Sequence, residues 1–322
     1  MLRNLITPLL PAFLFAAPMA QAEPFVSPDI LVLGDSQIPF GAGPVLLDFF
    51  ENLKSHCPPK PEHEAALAQI DDMKVAVIGV RSTSIQSWTA RSGGAKGAIC
   101  TVDKKWKVNA GTFGFINKTG NKYKQMGRGK PYQFCQKGKS AFEAMFRPDY
   151  YKPKLLLMSF LGNSTKRWAN DRNKALADVE KLMSQVPEGT PCIFMTTAPP
   201  YSKKLVDRRL KAQTNIKWAF EQTPGSCTFI EGATPETIAA NKGNKKHFRR
   251  NKSGRVKDPY HPNERAAKNF MKLEMANICH AIYDELTPLT PVSTQIAEIA
   301  EADLEDPASA LSSDLNAESK QK

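Results

Sequence analysis

The chain is poor in histidine, with five in 322 residues, and that scarcity limits the chemistry open to it. It has no HExxH pair and no tight grouping of His with Cys or carboxylates, so no metal is expected. It has no GxGxxG and no Walker pattern, so neither a dinucleotide nor a nucleoside triphosphate is expected, and no cofactor is implied. Its six cysteines include no CxxC, which argues against a zinc knuckle or a redox pair. Beyond the first residues no apolar run is long enough to cross a bilayer, so no integral membrane segment is expected.

The first residues, "MLRNLITPLLPAFLFAAPMAQAEPF", read as an export signal. Arg3 gives the positive start and Leu5 to Ala17 the apolar stretch. Ala20, Gln21 and Ala22 have the small-residue spacing of a signal-peptidase site, so residues 1–22 are expected to be removed. No cysteine follows the cut to carry a lipid. The expected compartment is the periplasm or the exterior. There the even set Cys57, Cys100, Cys135, Cys192, Cys227 and Cys279 can form up to three disulfides. Their spacing does not choose the pairing.

Acids are locally scarce. The formal charge is +12, and residues 94–140 hold eleven Lys or Arg against Asp103 alone. "NKGNKKHFRRNKSGRVK", Asn241 to Lys257, holds eight basic residues and no acid. Stripes of this kind suit a polyanion. Export makes nucleic acid a poor partner, so an acylated envelope glycan or a similar anionic substrate is the better expectation. A charged face that only keeps the protein soluble is the plainer reading. The end of the chain is opposite in sign, with seven acids and two lysines after Leu286. Few large apolar residues occur there, so 286–322 is expected to be an acidic, disordered tail. Oligomeric state leaves no mark in the sequence.

Between these ends, short apolar runs alternate with amphipathic ones. Ile30 to Leu33, "KVAVIGV" from Lys74, "KLLLMSF" from Lys154, "PCIFMTT" from Pro191 and "CTFIEG" from Cys227 read as strands. Residues 44–57, 164–186, 203–222 and 263–286 read as helices, the last with Pro262 and Asn263 at its start. This order predicts one α/β domain over 23–285 with a mostly parallel sheet, whose functional loops lie at the carboxyl ends of the strands. Residues 89–139 break the pattern. They are rich in Gly, Lys and aromatics, and are expected to form an irregular or β-rich insertion that Cys100 and Cys135 could clip.

Two stretches carry candidate chemistry. "PDILVLGDSQIPFGAG" sends an apolar run into Gly34, Asp35, Ser36 and Gln37. By itself it reads first as an ordinary strand and turn. "DPYHPN" places Asp258 three residues before His261 in a proline-stiffened loop, where the carboxylate can turn back and fix the imidazole tautomer. His56, His63, His247 and His280 have no such setting.

Taken together, "VLGDSQ" and "DPYHPN" resemble the GDSL or SGNH hydrolase family, over about Pro28 to Leu286 without the insertion. The resemblance implies a three-layer, flavodoxin-like α/β/α fold and a serine esterase, acyl hydrolase or related acyltransferase. It implies Ser36 as nucleophile, His261 as general base and Asp258 as its partner. The family's third block falls on "LGNS", with Asn163 as the oxyanion amide, Leu161 in place of the family's glycine and Ser164 in place of its aspartate. Its second block falls on "GVRSTSIQSW". Ser82 takes the place of the glycine whose backbone N–H is the other donor, with Gly79 as the less favoured match. The implied oxyanion hole is the Ser36 N–H, the Ser82 N–H and the Asn163 amide. Arg81, beside it, is a candidate for binding a substrate carboxylate or phosphate. Trp88 and Trp218 are candidates for stacking on a sugar. The expected function is a periplasmic serine esterase that removes an acyl group from a glycan or another envelope component. The alternatives are an O-acyltransferase with the same residues and a non-catalytic glycan- or polyanion-binding protein on the same fold.

Overall fold

In the computed structural model the described residues are 27–58, 60–63, 74–91, 111–116, 124–126, 136, 138–148 and 150–287. The expected signal peptide, most of the insertion with Cys100 and Cys135, and the acidic tail from 288 on lie outside them.

Seven strands form one sheet. In chain order they are β1 (Ile30–Gly34), β2 (Val75–Val80), β3 (Gly111–Ile116), β4 (Lys124–Met126), β5 (Leu155–Ser159), β6 (Cys192–Met195) and β7 (Thr228–Ile230). Across the sheet they run β4-β3-β2-β1-β5-β6-β7. The five strands from β2 to β7 are parallel, and among them the order of first, second and later strands is that of flavodoxin-like doubly wound sheets. The insertion adds β3 and β4, antiparallel, to the free edge of β2.

Strand composition follows from burial on both faces. Every residue of β1, β2, β5 and β6 is buried, so these strands are continuous apolar runs with no polar alternation. Their two-residue period splits them between two cores. Ile30, Val32, Val75 and Val77 pack on α1 (Gly43–Glu51) and on the long C-terminal helix Glu264–Leu286. Leu31, Leu33, Ala76 and Ile78 pack on the other layer, which holds α2 (Ile85–Thr89), α3 (Ala141–Met145), α4 (Thr165–Asn170), α5 (Arg172–Met183) and α6 (Lys203–Glu221). The architecture is a three-layer α/β/α sandwich, with α7 (Pro235–Asn241) and α8 (Glu264–Leu286) completing it.

Three details depart from expectation. The helix predicted over 44–57 is two, Gly43–Glu51 and Leu53–His56, parted at Asn52. The single helix predicted over 164–186 is two, broken at Asp171, whose extended backbone and side chain cap the second by accepting from Asn173 N and Lys174 N. Three short helices not anticipated, α2, α3 and α7, each begin at a capping box, on Ser84, Ser140 and Thr234.

Among the described residues two disulfides tie the sandwich. Cys57–Cys279 joins the segment after α1 to α8, and Cys192–Cys227 joins the starts of β6 and β7. Such bonds fit an oxidising setting, the cell envelope or the exterior. Among the described residues no helix is long and apolar enough to cross a membrane.

Candidate active site at the carboxyl edge of the sheet

Gly34 ends β1 and pairs with Gly79 in β2. A Cβ on Gly34 would meet the Ser159 carbonyl at 2.6 Å, and one on Gly79 would meet Ile38 at 2.3 Å. The bare backbone lets the kinked turn Ile38–Ala42 fold down over the strand ends. This turn fixes what precedes it, Asp35, Ser36 and Gln37.

The Ser36 hydroxyl lies 2.8 Å from His261 Nε2, and His261 Nδ1 lies 2.8 Å from Asp258 Oδ2. The other carboxylate oxygen of Asp258 accepts from the backbone N–H of Tyr260, at 3.0 Å, and of His261, at 3.2 Å. An acceptor on Nδ1 sets that nitrogen as the protonated one, so Nε2 faces the Ser36 O–H with its lone pair. Residues 225 positions apart in the chain thus form one hydrogen-bonded line. Ser36 is mostly buried, and His261 and Asp258 are partly exposed.

The two other expected donors sit on neighbouring loops. Ser82 follows β2 with φ 63°, the one residue other than glycine in the left-handed region among the described residues. That region suits glycine, and a serine held there marks a backbone fixed by its surroundings. Gly79 lies inside β2 under Ile38 and Pro39, away from any such turn. Asn163 is exposed after β5, and its amide donates to the Thr83 carbonyl at 2.7 Å. Thr83 is itself held, since its hydroxyl donates to Val80 O and accepts from the Trp88 indole. The bond therefore ties the loops carrying Ser82 and Asn163 together. Ser164 is buried, and no hydrogen-bond partner for its hydroxyl occurs among the described residues.

Three residues that the sequence did not single out hold the loops in place. Asp35 is buried, and its carboxylate accepts from the N–H groups of Gln37 (2.9 Å), Gly162 (3.0 Å) and Leu161 (3.4 Å). Burial pushes its carboxyl above the ordinary value, against those N–H groups and the nearby Arg209 guanidinium. Gln37 Nε2 donates to the Tyr260 carbonyl at 3.0 Å. Arg209, buried in α6, donates to the same carbonyl at 3.1 Å and to Ala198 O at 2.9 Å. Burial lowers the Arg209 guanidinium to about 10, with Asp35 and Asp258 opposing the shift, so it stays charged at neutral pH. The nucleophile loop and the base loop are thereby clamped through one peptide oxygen.

The remaining candidates are placed as follows. The Arg81 guanidinium lies over the Phe40 ring at 4.0 Å, and Phe40 stacks on the His261 imidazole at 4.2 Å. Arg81 thus reaches the site through Phe40. Trp88 is wholly buried against Phe142 and Phe160, and so is a core residue with no face for a sugar. Trp218 is half-buried in α6 beneath Arg172. A cavity of about 1600 Å³ lies at the opposite end of the sheet. It is lined there by Lys154, Pro191 and Thr228, with no part of the Ser36 site.

No family model matches the chain, and no curated protein matches it. Among solved structures it is similar to a DUF4886 family protein from Bacteroides uniformis ATCC 8492, at 13% identity. The match covers 86% of this chain and 94% of that one, with a TM-score of 0.37.

Proposed function

We propose that the protein is a serine esterase of the GDSL or SGNH type. In this reading it acts in the periplasm or outside the cell and removes an acyl group from a glycan or another envelope component. The observation that carries the reading is the line Asp258–His261–Ser36, with both links at 2.8 Å, at the carboxyl ends of a parallel sheet. The left-handed Ser82 and the Asn163 amide stand on the two loops beside it, which supports their assignment as oxyanion donors together with the Ser36 N–H.

The chemistry follows from the tautomer. His261 Nε2 takes the Ser36 proton as Oγ bonds to the ester carbonyl carbon, and the carbonyl oxygen becomes the oxyanion. As the C–O bond to the sugar breaks, the imidazolium returns that proton to the leaving alkoxide, and Asp258 stabilises the charge on the ring meanwhile. Water, deprotonated by His261, then attacks the acyl-enzyme and releases the acid. If a sugar hydroxyl takes the place of that water, the same residues perform acyl transfer.

The test is a fluorophosphonate probe on the wild type, Ser36→Ala and His261→Ala. Labelling of the wild type that is absent in Ser36→Ala is expected. A folded wild type that does not label would instead favour a binding protein on this fold. Free acid released from acylated envelope glycan, compared with acyl moved to an added glycan, then separates hydrolysis from transfer.

A further inference from the structure

The basic stretch Asn241 to Lys257 is fused to the base loop. Phe248 is buried, packs against Tyr201 and pairs with Pro262. Lys257 N donates to Arg249 O at 2.8 Å, and Asn263 N donates to His247 O at 2.9 Å. Arg250 pairs with Val256, and the Asn251 side chain closes the turn by accepting from Arg255 N. The result is a short hairpin that precedes Asp258–His261 and is bonded to the chain on both sides of it. Every lysine and arginine of the hairpin is exposed. Among the described residues none of them forms an ion pair with a carboxylate. Packing so many like charges onto a fixed backbone is unfavourable by itself. Next to it stands Tyr260, whose backbone is clamped by Gln37 and Arg209 while its side chain is 52% exposed. An exposed aromatic ring offers a flat apolar face to a sugar and a hydroxyl to its substituents. Only Tyr260 and Leu273 are large exposed apolar side chains among the described residues, so this face lacks the apolar residues a membrane-inserting surface needs.

We infer that this hairpin and Tyr260 form a subsite for an acidic polysaccharide, with Arg249, Arg250, Lys252, Arg255 and Lys257 meeting its carboxylates and Tyr260 stacking on a ring. The assignment rests on the esterase reading and names its substrate class, a carboxylate-bearing sugar polymer acylated on a hydroxyl. The polymer would lie along the hairpin and present that ester to Ser36.

The experiment uses the full chain with polygalacturonate as the probe, and with dextran, anionic phospholipid vesicles and duplex DNA as comparisons. Binding to polygalacturonate and not to dextran is expected, weakening steeply between about 50 and about 300 mM salt as the screening length shrinks. The variant Arg250→Glu, Lys252→Glu, Arg255→Glu should bind about tenfold more weakly or worse, because each reversal replaces an attraction with a repulsion. If that variant does not fold, Arg250→Gln with Arg255→Gln serves, with a smaller loss. Polygalacturonate should also slow fluorophosphonate labelling of wild-type Ser36. Equal binding of dextran, stronger binding of vesicles or DNA, or unchanged binding by the variants would overturn the subsite. A protein that labels but does not bind the polymer loses the subsite and keeps the esterase reading. One that binds but never labels loses that reading, and with it the polymer as substrate.

Discussion

Replacing Arg209 with methionine should loosen the platform under the triad while leaving Ser36, His261 and Asp258 in place. The methionine can fill the space of the buried stem, so the loss is chiefly polar. Two hydrogen bonds from a charged donor go with it, to Ala198 O and Tyr260 O. At about 1.5–3 kcal/mol each, they predict a destabilisation of about 3–6 kcal/mol. The charge matters too, because Arg209 is one of the influences that hold down the Asp35 carboxyl. That carboxyl already lies above its ordinary value, so the folded chain holds its proton to higher pH than the unfolded one. Where the folded state binds more protons, stability falls as pH rises. Without Arg209 the Asp35 value rises further, so the deficit of the variant should widen as pH rises through that value and narrow toward the ordinary carboxylate range. Urea unfolding followed by tryptophan fluorescence, near pH 5 and near pH 8, measures both effects. A deficit under about 1 kcal/mol would refute the structural role. A deficit equal at the two pH values would refute its electrostatic part.

Asn163→Ala should lower kcat on an activated ester by about 10²–10³-fold with little change in KM, the cost of one oxyanion donor. Ser82→Gly keeps the backbone N–H and relieves the left-handed strain, so its turnover should stay within about threefold of wild type. Asp258→Asn should cost about 10⁴-fold in kcat through the wrong imidazole tautomer, with a melting temperature near that of wild type. Burial pushes the His247 imidazole below its usual value, Arg265 adding to the shift, while its Nδ1 bonds Asn241 Oδ1 at 2.7 Å. The unfolded chain therefore takes up that proton first, and stability should fall as pH drops through about 6.5, less so in His247→Gln. Thermal melts across pH 5 to 8 make that comparison.

The strands were legible because both faces of the sheet are covered. Burial of every position leaves runs such as Leu155–Ser159 almost wholly apolar, and their alternation with helices fixes a parallel sheet. The antiparallel pair β3 and β4 was not legible in detail. Its place depends on the open edge of β2, which no local pattern in Gly111–Ile116 encodes. The short helices escaped for a related reason. Five to seven residues are too few to show a 3.6-residue period, although Ser84 with Ser87 and Ser140 with Glu143 are capping pairs visible in the chain.

The site divides in the same way. Asp258 and His261 are three residues apart, so one loop brings them together and their spacing is visible in the chain. Arg209 and Asp35 act across the fold, where spacing says nothing. A signal for Arg209 was nonetheless present. Along α6, Val206, Arg209, Ala212, Gln213, Ile216, Ala219 and Phe220 make one buried stripe at helical spacing. On such a stripe a charged residue must meet polar groups that the core itself does not supply. Gln213 accepts from Thr196 and Ala233, and Arg209 donates to Ala198 and Tyr260, all at the carboxyl edge of the sheet. A polar residue out of place on an apolar helix face therefore points to strand ends whose peptide groups have lost their sheet partners. Those are the ends where this chain keeps its serine.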